Sequence, residues 1–132
     1  MRVLVTGATG CVGANVVEAL LARGHEVRAM QRSTSSLQAL DGLEPEMVVG
    51  DVLDFDSLRA AMAGCDWVVH AAAISQYWRN GADLIYKVNV EGTRNVLQAA
   101  QETDVQRLVF TSSVAALGLA TESQTLVDET SS

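Results

Sequence analysis

The feature that most constrains the fold is a glycine-rich segment near the start of the sequence. It reads Thr6-Gly-Ala-Thr-Gly-Cys-Val-Gly13, with glycines at positions 7, 10 and 13. An apolar run at residues 2–6 precedes it, and residues 11–23 follow with apolar side chains at helical spacing up to Gly24. Because glycine permits tight turns and close backbone approach, the segment predicts a strand that turns sharply into a helix.

Short β-rich runs and helical patterns alternate along the rest of the chain. This alternation predicts βαβ units, and therefore an α/β fold with a doubly wound parallel sheet of about five strands. We assign residues 1–118 to this domain, and residues 119–132 to a polar tail or to the start of a missing remainder. The expected strands are residues 2–6, 26–30, 46–50, 66–70 and 106–111, and the expected helices are residues 11–23, 35–40, 54–62, with Asp54 as N-cap, and 82–101.

Charge and composition exclude several classes of partner. The formal net charge of −7 argues against nucleic acid or an anionic membrane as the binding partner. The first residues lack the pattern of a secretion signal, so a cytoplasmic location is the default expectation. The two cysteines, Cys11 and Cys65, are too few for a disulfide framework, and we expect both to be small buried apolar residues. His25 and His70 lack the spacing of metal ligands, and His70 is expected to be a packed, neutral histidine.

The glycine-rich segment is chemically suited to bind phosphate. Gly7 is expected to allow the turn, Gly10 to leave the backbone open to a pyrophosphate, and Gly13 to let the helix pack closely. The N-terminus of the helix adds unpaired N–H groups and the positive end of its dipole. Because the segment lies between a strand and a helix at the start of a βαβ unit, it favours a dinucleotide as ligand.

Four later segments, together with the glycine loop, resemble the short-chain dehydrogenases/reductases of the extended class. The TGATGCVG loop is similar to the family's TGxxGxxG, and the later segments are GDVLD (50–54), VVHAAA (68–73), VNVEGT (88–93) and FTSSVAALG (110–118). The closest resemblance is to the NAD-dependent epimerase/dehydratase branch and its dihydroflavonol-4-reductase-like members. The resemblance covers about the first 118 residues and implies a Rossmann fold, of which this chain has the N-terminal portion.

The resemblance also implies roles for individual residues. It identifies Asp51 as a contact of the adenine and Ser113, with Ser112 as the alternative, as the catalytic serine that polarises the substrate carbonyl. Asn89 corresponds to a helix asparagine of the family, although an amide that only packs the helix is equally compatible with the sequence. The full expected cofactor set is Gly7, Thr9, Gly10, Cys11, Val12, Gly13, Arg32, Asp51, Val52, Ala71, Ala72, Ala73, Asn89 and Thr111.

The loop after the fourth strand offers candidates for a substrate contact. Gln76 and Tyr77 follow the strand, where polar and aromatic side chains can line a pocket. A loop that only covers the edge of the sheet would have the same sequence.

The residues after the second strand bear on the choice of cofactor. NAD-binding proteins of this fold place an acidic residue there to bind the ribose hydroxyls. This chain has no Asp or Glu between Val27 and Leu40 and has Arg32 instead. Since a guanidinium binds a 2′-phosphate and a carboxylate repels it, we expect NADP(H) in preference to NAD(H). The alternative is an arginine on a solvated loop.

The proton-transfer pair of the family is absent from this sequence. The family uses a Tyr-x-x-x-Lys pair, and the only lysine, Lys87, has Asp83 four residues before it. We therefore expect a chain that ends before the complete active site and is inactive alone, from a parent enzyme that transfers hydride between nicotinamide and a small-molecule carbonyl or secondary alcohol. The alternatives are a non-catalytic nucleotide-binding mini-domain and part of an NAD-dependent sugar-nucleotide epimerase/dehydratase. We also expect a homo-oligomer with the long helix (82–101) in the interface.

Overall fold

Five parallel strands form one sheet in the computed structural model, which describes residues 1–76, 78–117 and 128. The strands are β1 (Arg2–Thr6), β2 (Glu26–Gln31), β3 (Glu46–Val49), β4 (Trp67–His70) and β5 (Arg107–Phe110). Their order is β3-β2-β1-β4-β5, with β1 paired to β2 on one side and to β4 on the other. The predicted parallel sheet of about five strands is confirmed, and the order reverses between β1 and β4.

Helices cover both faces of the sheet. They are α1 (Cys11–Ala22), α2 (Phe55–Met62), α3 (Ala82–Tyr86) and α4 (Gly92–Gln101), with a π-helical turn at Lys87–Glu91 and 3-10 turns at Gln38–Leu40 and Val114–Leu117. On one face α1 packs through Val17 against Val5 and Val27. On the other face α2 and α4 pack through Leu58 and Val96 around Leu4. Leu4 and Val5 therefore anchor opposite cores, as the period of two in a strand requires.

The local expectations for Asp54 and Cys65 hold in detail. Asp54 caps α2, because its side chain accepts a hydrogen bond from the Ser57 amide. Arg28 has a structural role, since its guanidinium donates to the Ala61 and Ala63 carbonyls at the end of α2 and pairs with Glu46. Cys65 is buried, as expected, and burial raises the pKa of its thiol.

The prediction that Cys11 is buried was wrong. Cys11 is exposed, and it lies on the same side of α1 as Asn15 and Glu18, which are also exposed. Residues three, four and seven apart share one face of a helix, and the buried face of α1 is formed by Gly13, Ala14 and Val17. The position of a cysteine around the helix, rather than its apolar character, therefore decides its burial.

The predicted helix at residues 82–101 is interrupted. A π-helical turn at Lys87–Glu91 separates α3 from α4, with the Gly92 amide bonded to the Lys87 carbonyl. A π turn inserts one residue into a helix and shifts the faces that the two halves present. The expected helix at residues 35–40 is also shorter, a single 3-10 turn at Gln38–Leu40.

Candidate functional site

A cavity of about 350 Å³ lies at the carboxyl ends of the strands, where the strand order reverses. Ligands of open α/β sheets bind at this place, and the volume lies in the usual range for small-molecule sites. Segments after β1, β2, β3 and β4 all contribute to it. Its walls contain many of the predicted cofactor residues, namely Gly7, Thr9, Gly10, Arg32, Asp51, Val52, Ala71, Ala72 and Ala73.

The glycine-rich loop makes the closest backbone contacts of the site. Gly7 has a φ of +66°, and a Cβ there would lie 2.6 Å from the Ala72 amide nitrogen. A Cβ at Gly13 would lie 2.7 Å from the Gly7 carbonyl carbon. Gly13 therefore allows α1 to begin directly against the turn at Gly7, rather than only against the sheet. A larger residue at Gly7 would push the loop away from Ala72, and both Gly7 and Ala72 line the cavity.

The N-terminus of α1 is open to a ligand. Its N-cap is Gly10, which provides no side-chain hydrogen bond, and its first turn has no acidic residue. The first amides of a helix have no partner within the helix, so in α1 they are available to an anion. In contrast, α2 has its N-terminus satisfied by Asp54. The α1 terminus therefore fits the phosphate groups of a dinucleotide.

The ends of β2 and β3 form the opposite wall of the cavity. Arg32 directly follows β2 and is exposed, and the ion pairs among the described residues do not include it. Asp51 follows β3 and accepts a hydrogen bond from the Leu53 amide through one carboxylate oxygen. The second carboxylate oxygen of Asp51 can accept a further hydrogen bond in this wall, which suits an adenine amino group.

The π-helical turn at Lys87–Glu91 holds the segment after β4. The Asn89 side chain accepts from the Ile74 amide at 2.8 Å and donates to the Ile74 carbonyl at 3.0 Å. Asn89 lies in the π-helical turn and not in the cavity wall. These two hydrogen bonds fix the course of the chain beyond Ala73, and a role of Asn89 in cofactor binding stays a prediction.

Helix α4 holds the segment after β3. A Cβ at Gly92 would lie 2.7 Å from a methyl carbon of Val52, so glycine permits this contact. The Asn95 side chain donates to the Val52 carbonyl at 2.9 Å. These two contacts explain why a glycine and an amide occur at these helix positions, and the sequence patterns used above assigned a role to neither.

His70 is the last residue of β4 and is fully buried. Desolvation lowers its pKa from 6.5 to about 4, so the ring is neutral near pH 7. The prediction of a packed neutral histidine is confirmed. Among the described residues there is no cluster of side chains that could hold a metal ion.

Other predicted site residues lie outside the cavity wall. Cys11 and Val12 are exposed in the first turn of α1, and Thr111, Ser112 and Ser113 are exposed just after β5. The Ser113 hydroxyl accepts a hydrogen bond from the Ala115 amide, in the turn that follows β5. Gln76 is exposed in a turn, and its carbonyl accepts from the Arg79 amide. Tyr77 lies outside the described residues.

The cavity also has lining residues that the sequence did not reveal. They are mostly apolar or small and belong to every wall of the cavity: Met30, Gln31, Gly50, Leu53, Ile74, Leu84 and Val88. Met30 and Val88 also contribute to the core on the α2 and α4 face, so their patterns read as core positions. For the residues that lie at or just after a strand, this position was the signal that could have indicated them. Leu84 and Val88 lie in the helical segment after β4, where this signal does not apply.

The strand order and the glycine-rich loop define a Rossmann-type α/β protein. A sequence model of the NAD dependent epimerase/dehydratase family matches residues 3–132. The chain therefore belongs to this family. Among the described residues, no helix has the length and apolar character needed to cross a membrane.

Individual relatives agree with this assignment. The chain is 46% identical over 119 residues to sterol demethylase protein B of Methylococcus capsulatus, covering 90% of this chain and 36% of that protein. It is 45% identical over 119 residues to a 3-beta-hydroxysteroid dehydrogenase of Mycolicibacterium neoaurum, covering 85% and 32%. The structure of UDP-glucose-4-epimerase from Stenotrophomonas maltophila, with bound NAD, superposes with a TM-score of 0.86 at 29% identity, covering 100% and 42%. The chain thus spans about a third of the length of the curated relatives it matches.

Proposed function

We propose that this chain is the NADP(H)-binding part of an oxidoreductase that transfers hydride between nicotinamide and a carbonyl or secondary alcohol. The proposal rests mainly on the cavity at the place where the strand order reverses. The N-terminus of α1, Asp51 and Arg32 all face this cavity. Dinucleotide binding is a property of the family, and the sterol-related names of two relatives favour a hydroxyl or carbonyl group on an apolar substrate.

Each wall of the cavity has its own task in this proposal. The first amides of α1 hold the phosphates, and Asp51 accepts from the adenine amino group. Arg32 binds the 2′-phosphate, with Ser35 beside it in the same wall. Ala71, Ala72 and Ala73 are small, so they leave room for the dinucleotide along the end of β4. The dinucleotide supplies the hydride, and the chain's own residues bind and orient it.

The substrate side of the reaction is proposed for the segment after β5. The Thr111 amide donates to the His70 carbonyl at 3.0 Å, so Ser112 and Ser113 emerge at the same edge of the sheet as the β4 segment. A serine hydroxyl there would polarise a substrate carbonyl. Because the sequence has no Tyr-x-x-x-Lys pair, we expect the 132-residue chain to bind the dinucleotide without turnover.

A sugar-nucleotide epimerase or dehydratase that uses NAD(H) is the second candidate. It is favoured by the NAD-bound epimerase, whose structure matches the whole of this chain. Titration with NADPH and with NADH, followed by nicotinamide fluorescence, separates the two candidates. We expect tighter binding of NADPH. Tighter binding of NADH would favour the second candidate, and no binding of either below millimolar would overturn both.

Replacement of Arg32 by alanine is the specific test of the coenzyme preference. We expect NADPH to bind about 10- to 100-fold more weakly, because a charge-assisted hydrogen bond contributes about 1.5–3 kcal/mol. NADH, which lacks the 2′-phosphate, should bind with unchanged affinity. Arg23→Ala is the matched control, since Arg23 is also exposed but lies at the far end of α1. Equal weakening of both coenzymes by Arg32→Ala would contradict the assignment.

Self-association of the chain remains a prediction, and the structure offers two apolar surfaces for it. Leu97 on α4 is 45% exposed, and Val109 on β5 is 51% exposed. We expect a dimer or larger oligomer by sedimentation velocity at micromolar concentrations. If the helix forms the interface, Leu97→Glu should dissociate the oligomer and Val109→Glu should not. A monomeric wild-type chain would contradict the prediction.

A further inference from the structure

Both ring nitrogens of His70 form hydrogen bonds inside the protein. Nδ1 lies 2.7 Å from the Thr6 hydroxyl, and Nε2 lies 3.0 Å from the Thr93 hydroxyl. Thr6 is the last residue of β1, whereas Thr93 lies in α4. The ring of Phe110 stacks on the imidazole with 5.4 Å between the ring centres. His70 therefore joins two strands and a helix directly beneath the cavity.

The directions of these hydrogen bonds follow from the number of protons. The Thr93 hydroxyl donates its one proton to the Asn89 carbonyl at 2.8 Å, so it must accept from Nε2 of His70. A neutral imidazole has one N–H, so Nδ1 is the acceptor and the Thr6 hydroxyl is its donor. The Thr6 oxygen in turn accepts a long hydrogen bond, 3.4 Å, from the Ala72 amide.

These bonds form one directed chain that begins at the cavity. It runs from the Ala72 amide through Thr6, His70 and Thr93 to the Asn89 carbonyl. Gly7 and Ala72 both line the cavity, whereas His70 does not. The backbones of Gly7 and Ala72 are so close that a Cβ on Gly7 would lie 2.6 Å from the Ala72 nitrogen. A small shift of either segment would therefore change the shape of the cavity.

We propose that His70 is a positioning residue that holds the turn at Thr6–Gly7 against the segment at Ala72, in the geometry that binds the dinucleotide. The inference rests on the proposed function, because it assigns a role in binding to a residue that the ligand does not touch. A ring held as the Nε2–H tautomer orients the Thr6 hydroxyl and leaves its oxygen free for Ala72. The lowered pKa of His70 is consistent with this arrangement, since a protonated ring has no acceptor for Thr6.

Two substitutions separate the two halves of the chain of hydrogen bonds. In His70→Asn, the side-chain oxygen can replace Nδ1 and accept from Thr6, but no group reaches Thr93. In His70→Gln, the amide nitrogen can replace Nε2 and donate to Thr93, but the acceptor for Thr6 is lost. We expect His70→Asn to bind NADPH within about 3-fold of the wild type and His70→Gln to bind at least about 10-fold more weakly, with similar losses of thermal stability.

Thr6 provides an independent check of the same inference. Thr6→Val removes the hydroxyl and keeps the shape, so it should weaken NADPH binding as His70→Gln does. Thr6→Ser keeps the hydroxyl and should restore the affinity to near that of the wild type. If His70 had a purely structural role, the NADPH affinity of the two His70 variants and the two Thr6 variants would fall in proportion to their loss of thermal stability. Such a correlation would overturn the inference.

The ring tautomer can be measured without any ligand. The sequence has two histidines, His25 and His70, so the ring signals that disappear in His70→Gln are those of His70. We expect ¹⁵N and ¹³C ring shifts of a neutral Nε2–H tautomer at pH 7, and an Nδ1–H or protonated ring would overturn the inference. A wild-type chain that binds neither dinucleotide would overturn the proposed function and the positioning role with it. Equal binding by His70→Asn and His70→Gln would overturn the positioning role alone.

Discussion

Gly13→Ala should destabilise the chain by about 3 kcal/mol and abolish dinucleotide binding. Gly13 is buried, and its added Cβ would lie 2.7 Å from the Gly7 carbonyl carbon. The Gly7 carbon belongs to the backbone, and the backbone of Gly13 fixes the position of the Cβ. Neither atom can therefore rotate away, and α1 must move from the turn that begins the cavity. Urea unfolding followed by circular dichroism measures the first effect, and NADPH titration measures the second.

Two other glycines serve as graded controls for Gly13. A Cβ at Gly10 would lie 3.3 Å from the Gly7 carbonyl oxygen, so Gly10→Ala should cost less than about 1 kcal/mol of stability. Gly81 has a φ of −66°, and no atom lies within 4 Å of the added Cβ, so Gly81→Ala should leave stability nearly unchanged. Equal stability of all three variants would contradict the close contact between α1 and the turn.

Acidification from pH 6.5 to 4 should remove about 3 kcal/mol of stability through His70 alone. The pKa of His70 is about 4 in the folded chain, against 6.5 for an unperturbed histidine. Between these two values the unfolded state binds a proton that the folded state does not. The contribution of His70 is therefore present above pH 6.5, is lost as the pH falls through this window, and levels off below pH 4.

The comparison of wild type with His70→Gln isolates this effect from the carboxylates, which titrate in both proteins. Urea unfolding at a series of pH values gives the free energy of unfolding of each. The difference between the two proteins should shrink as the pH falls from 6.5 to 4. Parallel pH profiles would show that the folded-state pKa of His70 is not lowered.

The sheet was largely predictable from the sequence, because its strands are short apolar runs bounded by polar or glycine-containing segments. The N-cap at Asp54 was also predictable, since a carboxylate just before a helical pattern satisfies local amides whatever the rest of the fold does. The glycine-rich loop showed where the cavity would begin. Each of these features depends on residues close together in the sequence.

The features that the sequence did not reveal depend on contacts between distant segments. The π-helical turn brings Asn89 to Ile74, and nothing in the spacing of the apolar residues around 82–101 indicates it. Met30 has the sequence pattern of a core residue and belongs to the core, but it also lines the cavity, which the pattern does not indicate. The exposure of Cys11 depends on which side of α1 faces the sheet, and the roles of Thr6 and Thr93 depend on where their hydroxyls meet His70.

The central place of β1 has a consequence for the order of folding. β1 can pair with β2 after a short connection, whereas the contact between Thr6 and His70 closes a loop of 64 residues. Closing a long loop costs chain entropy before its contacts are gained, so pairing of distant strands tends to come late. We therefore expect the turn at Gly7 to form as a local unit before β4 pairs with β1. Since the segment after β4 supplies one wall of the cavity, we expect the cavity to be complete only after β4 has paired with β1, and a ligand can hold its walls together only from that stage.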